Sequence, residues 1–408
     1  MADLLIKNIG KLVTPLGSAA VSGEEQGRAH VMEGAAIAVT GGKISYVGEQ
    51  AGAPDAAEVV DAGGRLATPG LVDPHTHMVF GGFRQNELEM KLAGVQYLDI
   101  LRGGGGILST VRATRAEGEE ELYAKAADFA DRMMRHGTTT VEAKSGYGLD
   151  LDTEMKQLRV ISRLSREHDI DVVATFMGAH ACPEEYKDRR DAYIDYVAEE
   201  VLPKVVELGL AEYADVFAET AVFDIAQSRR ILSAAKKLGL GIKIHADEIN
   251  RIGGAELAAE LGAASAEHLL QASDAGLDAM AESGTIAVCL PTTSFNLDKN
   301  FARAKLMVEK GIPVAIATDF NPGSSPGYNM QFAMTLGCLK LRLMPAEVLC
   351  AATLNAAAAI GRAASKGSLE AGKDADIVIW DAPDLNFIFY RYGNNQVYSV
   401  IKSGKVIV

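Results

Sequence analysis

Thr68-Pro-Gly-Leu-Val-Asp-Pro-His-Thr-His77 is the stretch that decides the fold. Residues 68–72 read as a short strand edge, punctuated by Pro69 and Gly70. Val72, Asp73 and Pro74 then carry the chain into His75, Thr76 and His77. In an extended chain, side chains at i and i+2 point to one face. His75 and His77 can therefore aim two imidazoles at one point, and neutral imidazole suits zinc, iron or nickel. A lone His-x-His is a weak signal, so the rest of the chain must supply the other donors.

Outward from this stretch, apolar runs recur, and amphipathic stretches separate them. After Leu71-Val72 come residues 138–142, 172–176, 213–217, 242–245, 264–268, 286–290 and 314–318, which makes eight. Helical periodicity is plain over Glu119 to Arg135, Asp191 to Leu208, Ile225 to Leu238 and Gly254 to Leu261. Continuous apolar strands alternating with helices predict a parallel sheet covered by helices. Eight such units over about 250 residues have the size of a TIM barrel, with a doubly wound open sheet as the alternative.

The two ends are written differently. Residues 4–6, 36–39 and 44–47 are β-like, with Thr40-Gly-Gly-Lys43 as a hairpin, and residues 376–380, 397–401 and 406–408 repeat the style. Ser18 to Glu33 is polar and small and reads as loop. One small β-domain built from both termini is expected, over 1–66 and 370–408, with the barrel over 67–369.

Composition narrows the partners. Of 408 residues, 48% are hydrophobic and 23% charged, enough for one large domain and a smaller one. A net charge of −14 repels phosphate backbones, so no nucleic-acid partner is expected. No apolar run approaches the roughly 20 residues of a membrane span. Four scattered cysteines without a C-x-x-C pair fit reduced thiols, and a cytoplasmic location is expected. Cys182, near His180, lacks a base-and-orienter pattern and reads as inert. The glycine run Gly103 to Gly106 has no P-loop spacing and reads as flexible loop.

The polar residues fall where a barrel keeps its chemistry, at the C-terminal ends of strands. Five of the eight histidines lie there: His75, His77, His180, His245 and His268. His75, His77 and His245 are candidate metal ligands. Asp319 is a candidate carboxylate ligand, or else a helix N-cap. His268 is placed to orient or polarise, or to hydrogen-bond behind the site. Glu248, three residues past His245, faces the same cavity or solvent. Three imidazoles and a carboxylate leave an open position, the requirement for hydrolysis of an amide, a ring amide or an amidine.

At this level of detail the chain resembles the amidohydrolase superfamily, on Pro69 to His77, the histidines after strands five and six, and the strand-eight aspartate. Longer runs resemble the imidazolonepropionase family within it: His77 to Arg84, Val141 to Asp150, Phe176 to Ala181, Lys243 to Glu248 and Ala317 to Ser324. The resemblance implies a metal-dependent (β/α)8 barrel with a small β-sandwich from both termini. It implies one zinc or iron ion on His75, His77, His245 and Asp319. It implies contacts to a small-molecule substrate from Arg84, Tyr147, His180 and Glu248, and to substrate or product from Asn321, Gly323 and Ser324. The implied reaction opens the ring lactam of 4-imidazolone-5-propanoate to N-formimino-L-glutamate. Asp319, His268 and Glu248 would move protons or stabilise the oxyanion, with Glu248 holding the ring N–H or acting as base. Lys144 reads as lying in the loop after the second strand, so the bridging carbamate of two-metal relatives is not expected. A homodimer is expected from the same resemblance. A deaminase of the superfamily, which needs no anion clamp, and a non-catalytic barrel scaffold are the competing readings.

Overall fold

Strands from the two ends of the chain lie side by side before the middle begins. In the computed structural model, which describes residues 1–95 and 104–408, these N-terminal strands are β1 (Ala2–Thr14), β2 (His30–Thr40), β3 (Lys43–Glu49), β4 (Ala56–Asp61) and β5 (Leu66–Pro69). The barrel strands are β6 (Leu71–Asp73), β7 (Thr138–Lys144), β8 (Asp171–Ala179), β9 (Tyr213–Ala218), β10 (Gly241–Ala246), β11 (Ser265–His268), β12 (Ile286–Cys289) and β13 (Val314–Ile316). The C-terminal strands are β14 (Ile377–Trp380), β15 (Val397–Lys402) and β16 (Lys405–Val406).

The terminal strands form one connected sheet of mixed sense, in the order β16-β15-β14-β5-β1-β2-β3, with β4 also on β1. The sheet forks on β1, whose first half pairs β4 and whose second half pairs β5. Leu4, Ile6, Ile9, Ile37, Val39, Ile377, Ile379 and Ile401 bury the core inside that fork. Two readings change here. The segment 68–72 is not one strand edge: Leu66–Pro69 belongs to the terminal sheet and Leu71–Asp73 to the barrel, with Gly70 between them. The supposed loop from Ser18 to Glu33 ends in strand, because His30 pairs with Thr14 and Met32 with Leu12. That end of β2 is mostly exposed, so its sequence carries no apolar alternation.

The eight barrel strands run in chain order from β6 to β13, all parallel where paired. A parallel bridge between Thr76 and Phe320 closes the ring between first and last strands, which excludes the open doubly wound sheet. Helices cover the outside. Helix Glu119–Arg135 buries Leu122, Ala126, Phe129, Ala130 and Met133, with acids in its first turn and Arg132 and Arg135 in its last. The expected helix over 191–208 is broken by a widened turn, Val197–Val201, beside Pro203, which has no N–H to donate. Gly104 to Gly106 lead into helix Ile107–Ala116; Gly103 lies outside the described residues.

The two sheets are pinned together by charge. Lys402 Nζ lies 2.6 Å from Asp171 at the start of β8 and 3.0 Å from Asp376 beside β14. Lys366 pairs with Asp171, and with Asp376 at 2.8 Å and Asp374 at 2.9 Å.

Candidate active site

The C-terminal ends of β6, β10, β11 and β13 bring five of the predicted residues together: His75, His77, His245, His268 and Asp319. His75 and His77 follow β6, and the intervening Thr76 anchors outward, donating to the Glu142 carbonyl at 2.7 Å. The Asp319 N–H donates to the His75 carbonyl at 3.1 Å, and the His77 N–H to the Phe320 carbonyl at 2.8 Å. Asp319 and His268 both hold left-handed backbone, at φ 51° and 68°. Non-glycine residues rarely adopt it, and such strain collects at functional sites.

The donor atoms converge. His77 Nε2 and His245 Nε2 are 3.4 Å apart, and Asp319 Oδ1 lies 3.5 Å from His75 Nε2 and 3.6 Å from His77 Nε2. Two donors each about 2.0–2.1 Å from one zinc at tetrahedral angles are separated by about 3.4 Å. The observed edges match that figure. His75 Nε2 is buried and has no hydrogen-bond partner, an orphan that a cation satisfies. One side chain each from His75, His77 and His245 forms a buried group able to hold a metal ion.

Two of the three imidazoles in this group are pushed towards the neutral form and one away from it. Burial holds His75, His77 and His268 well below the usual imidazole range; neighbouring cationic groups add to it, and the Asp215 charge opposes it at His77 and His268 without reversing it. His75 and His77 stand neutral, the form in which an imidazole can bind a metal. Burial also lowers His245, but the Asp215 carboxylate, 3.1 Å from its Nδ1, outweighs burial and raises it. Burial lifts the Asp319 carboxyl to about 6, opposed first by the Thr293 hydroxyl, which donates to Oδ2 at 2.5 Å. Burial, with the Asp319 charge, pushes Glu248 up to about 8.

The remaining predicted residues surround this point. Glu248 Oε2 is 3.5 Å from His268 Nε2, so both face one side of the cavity. The His180 ring stacks on His77 at 4.7 Å, and its Nδ1 lies 3.1 Å from the Gly146 carbonyl. Burial takes His180 down to about 3. Tyr147 is buried, with its ring 5.3 Å from His180 and 5.9 Å from His77. The Arg84 N–H bonds the Pro322 carbonyl, and its guanidinium lies against Gly323. Arg84 Nε is buried and has no hydrogen-bond partner. Asn321 is occupied locally. Its amide donates to the Asp319 carbonyl and to Ser324 Oγ, and its oxygen accepts from the N–H groups of Gly323 and Ser324. Lys144 is not in a loop but closes β7, fully buried, with Nζ 2.8 Å from both Asp215 and Glu142. Between two carboxylates a cationic amine is favoured, where the anion of a carbamate would be repelled. Cys182 is half-buried, and burial raises its thiol, as an inert cysteine requires.

The amidohydrolase family profile matches residues 66–407. An imidazolonepropionase of Alkaliphilus metalliredigens (strain QYMF) is 52% identical over 415 aligned residues, covering all of this chain and 98% of that protein. One from Bacillus velezensis is 50% identical, covering all of this chain and 97% of that protein. The chain belongs to the imidazolonepropionase family of amidohydrolases. Solved structures share this amidohydrolase fold at low identity. An adenosine deaminase from Xanthomonas campestris with bound zinc superposes at TM-score 0.74, 23% identical, covering 99% of this chain and 92% of that one. An ochratoxinase of A. niger superposes at 0.71, 18% identical, covering 99% and 95%.

Several residues of this amidohydrolase's site escaped the sequence reading. Asp215 and Glu267 each hold a histidine Nδ1, Thr293 holds Asp319, and Asp73 accepts from the Thr318 N–H and hydroxyl. The available signal was periodic. Glu142 with Lys144, Lys243 with His245, and Ser265 with Glu267 are polar at i and i+2 in otherwise apolar strands.

Proposed function

We propose that this protein hydrolyses the ring lactam of 4-imidazolone-5-propanoate to N-formimino-L-glutamate. The observation that carries the reading is the buried donor set beside a partly unsatisfied arginine, in a chain half identical to curated imidazolonepropionases over its whole length. One zinc or iron ion on His75, His77, His245 and Asp319 would polarise the ring carbonyl and acidify a water beside it. In this reading Arg84 clamps the propanoate, with Nε supplying one of its bonds. Tyr147 and His180 line the same wall. His268 stabilises the charge that develops on the carbonyl oxygen. Asp319 takes the proton of the attacking water and delivers it to the ring nitrogen as the carbon–nitrogen bond breaks. Glu248, next to His268 on the same side, holds the ring edge. Asn321 and Ser324 act by shaping the loop that presents Gly323 to Arg84. The four cysteines are unpaired, in keeping with a reducing compartment.

The test is an ultraviolet assay of imidazolone loss, with metal content measured on the same sample. Arg84→Ala should retain its metal and lose turnover chiefly through KM. Normal turnover by that variant would remove Arg84 as the clamp, whereas a wild type that consumes no imidazolone propanoate would favour a deaminase, whose substrate ring needs no anion clamp. Purified protein without stoichiometric metal would favour a scaffold.

A further inference from the structure

Beneath the donor set, the barrel interior holds a layer of charged side chains where apolar ones would ordinarily pack. Asp215 accepts at His245 Nδ1 (3.1 Å), and its other oxygen lies 2.8 Å from Lys144 Nζ. Lys144 continues to Glu142 at 2.8 Å, and Glu142 to Lys243 at 3.2 Å. Lys243 lies 3.7 Å from Glu267, whose other oxygen is 3.0 Å from His75 Nδ1. The path thus leaves one proposed ligand and returns to another. Thr175 donates to Glu142 and Ser265 to Glu267. All five charged members are buried, and they come from inward positions on β7, β9, β10 and β11.

We propose that Asp215, Lys144, Glu142, Lys243 and Glu267 form one positioning ring that fixes the rings of His75 and His245 for metal binding. The inference rests on the metal reading above. Stability alone does not explain the layer, because replacing buried ion pairs with packed apolar residues is often neutral or stabilising. Geometry does explain it. A carboxylate at Nδ1 selects the tautomer with its proton there, which leaves the Nε2 lone pair facing the other donors. The lysines in turn hold each carboxylate in one orientation. Glu142 joins both halves, since it touches both lysines and neither ligand. It is therefore the residue whose effect on the metal must pass through the others.

Metal release separates the ring from inert packing. The holoenzyme and the variants Glu142→Gln, Glu267→Gln and Asp215→Asn would be titrated with a zinc chelator, then refilled with cobalt(II) for its visible spectrum. Glu267→Gln and Asp215→Asn should weaken metal binding about 10- to 100-fold. Glu142→Gln should weaken it several-fold and shift the cobalt bands, which a purely structural residue would leave alone. If Glu142→Gln does not fold, Thr175→Val and Ser265→Ala, each removing one hydroxyl from the ring, take its place with the same expectation. Wild-type affinity and spectrum in these folded variants would overturn the ring. A wild-type protein that takes up neither zinc nor cobalt would instead overturn the metal reading on which the ring depends.

Discussion

Gly323→Ala puts the substrate clamp under direct test. A Cβ built on Gly323 would sit 1.1 Å from Arg84 Nη2, 1.9 Å from its Cζ and 2.3 Å from its Nε. The methyl and the guanidinium cannot share that space. Because the obstructing group is the far end of a flexible side chain, the arginine swings away and the backbone stays. Gly323 is not in left-handed backbone, so alanine fits the local conformation and costs the fold little. What is lost is a charge-assisted hydrogen bond to the propanoate, worth about 1.5–3 kcal/mol. That predicts a fall in kcat/KM of about 10- to 150-fold for imidazolone propanoate, carried mostly by KM. Metal content and unfolding midpoint should match the wild type. An analogue of the substrate lacking the carboxylate arm should react equally with both proteins. Wild-type kcat/KM in Gly323→Ala would show that Arg84, where it lies against Gly323, does not bind the substrate.

Thr293→Val removes the hydroxyl that holds Asp319 Oδ2; kcat should fall about 10- to 150-fold and Thr293→Ser should restore it, as single-turnover kinetics would show. Metal removal by a chelator should lower thermal stability, because an ion present at 100 times its Kd adds about 2.7 kcal/mol to the folded state; differential scanning calorimetry measures the loss. Acid should loosen the junction between the sheets. Lys366 and Lys402 outweigh burial and hold Asp171 below its unfolded value of 3.8, and the Lys43 and Lys366 bonds do the same for Asp374. Carboxyls depressed by folding stabilise above the unfolded pKa and lose that contribution as pH falls through the folded one. Lys366 is raised by Asp376 and Asp171 against burial, so its contribution persists below its unfolded 10.5 and fades only as pH rises through the higher folded value. Denaturant midpoints should therefore fall below about pH 4, and less steeply in Lys366→Met.

The parts that were legible in the chain were those with a period. Eight apolar runs separated by amphipathic helices described the barrel, and helices Glu119–Arg135 and Gly254–Leu261 have the bounds that periodicity assigned. His75, His77, His245 and Asp319 were visible because polar residues end those runs. The residues behind them were not. Asp215 and Glu267 lie inside strands, and only closure of the barrel turns their side chains towards the histidines. Thr293 was hidden because Pro291-Thr-Thr-Ser294 has no strand-end signature; it forms a short helix after β12 that reaches Asp319. Strand His30–Thr40 was half missed because its exposed end carries no alternation.

The seam between Thr76 and Phe320 has a consequence for how the protein is made. The Asp319 N–H to His75 carbonyl bond and the His77 N–H to Phe320 carbonyl bond join segments more than 240 residues apart in the chain. Contacts that distant form late, after the intervening chain has been ordered. A nascent polypeptide emerging from the ribosome has its three imidazole donors long before the carboxylate that completes them. Loading with the ion should therefore follow release of the finished chain, and a protein truncated before residue 319 should fail to retain it even where its first strands are correctly paired.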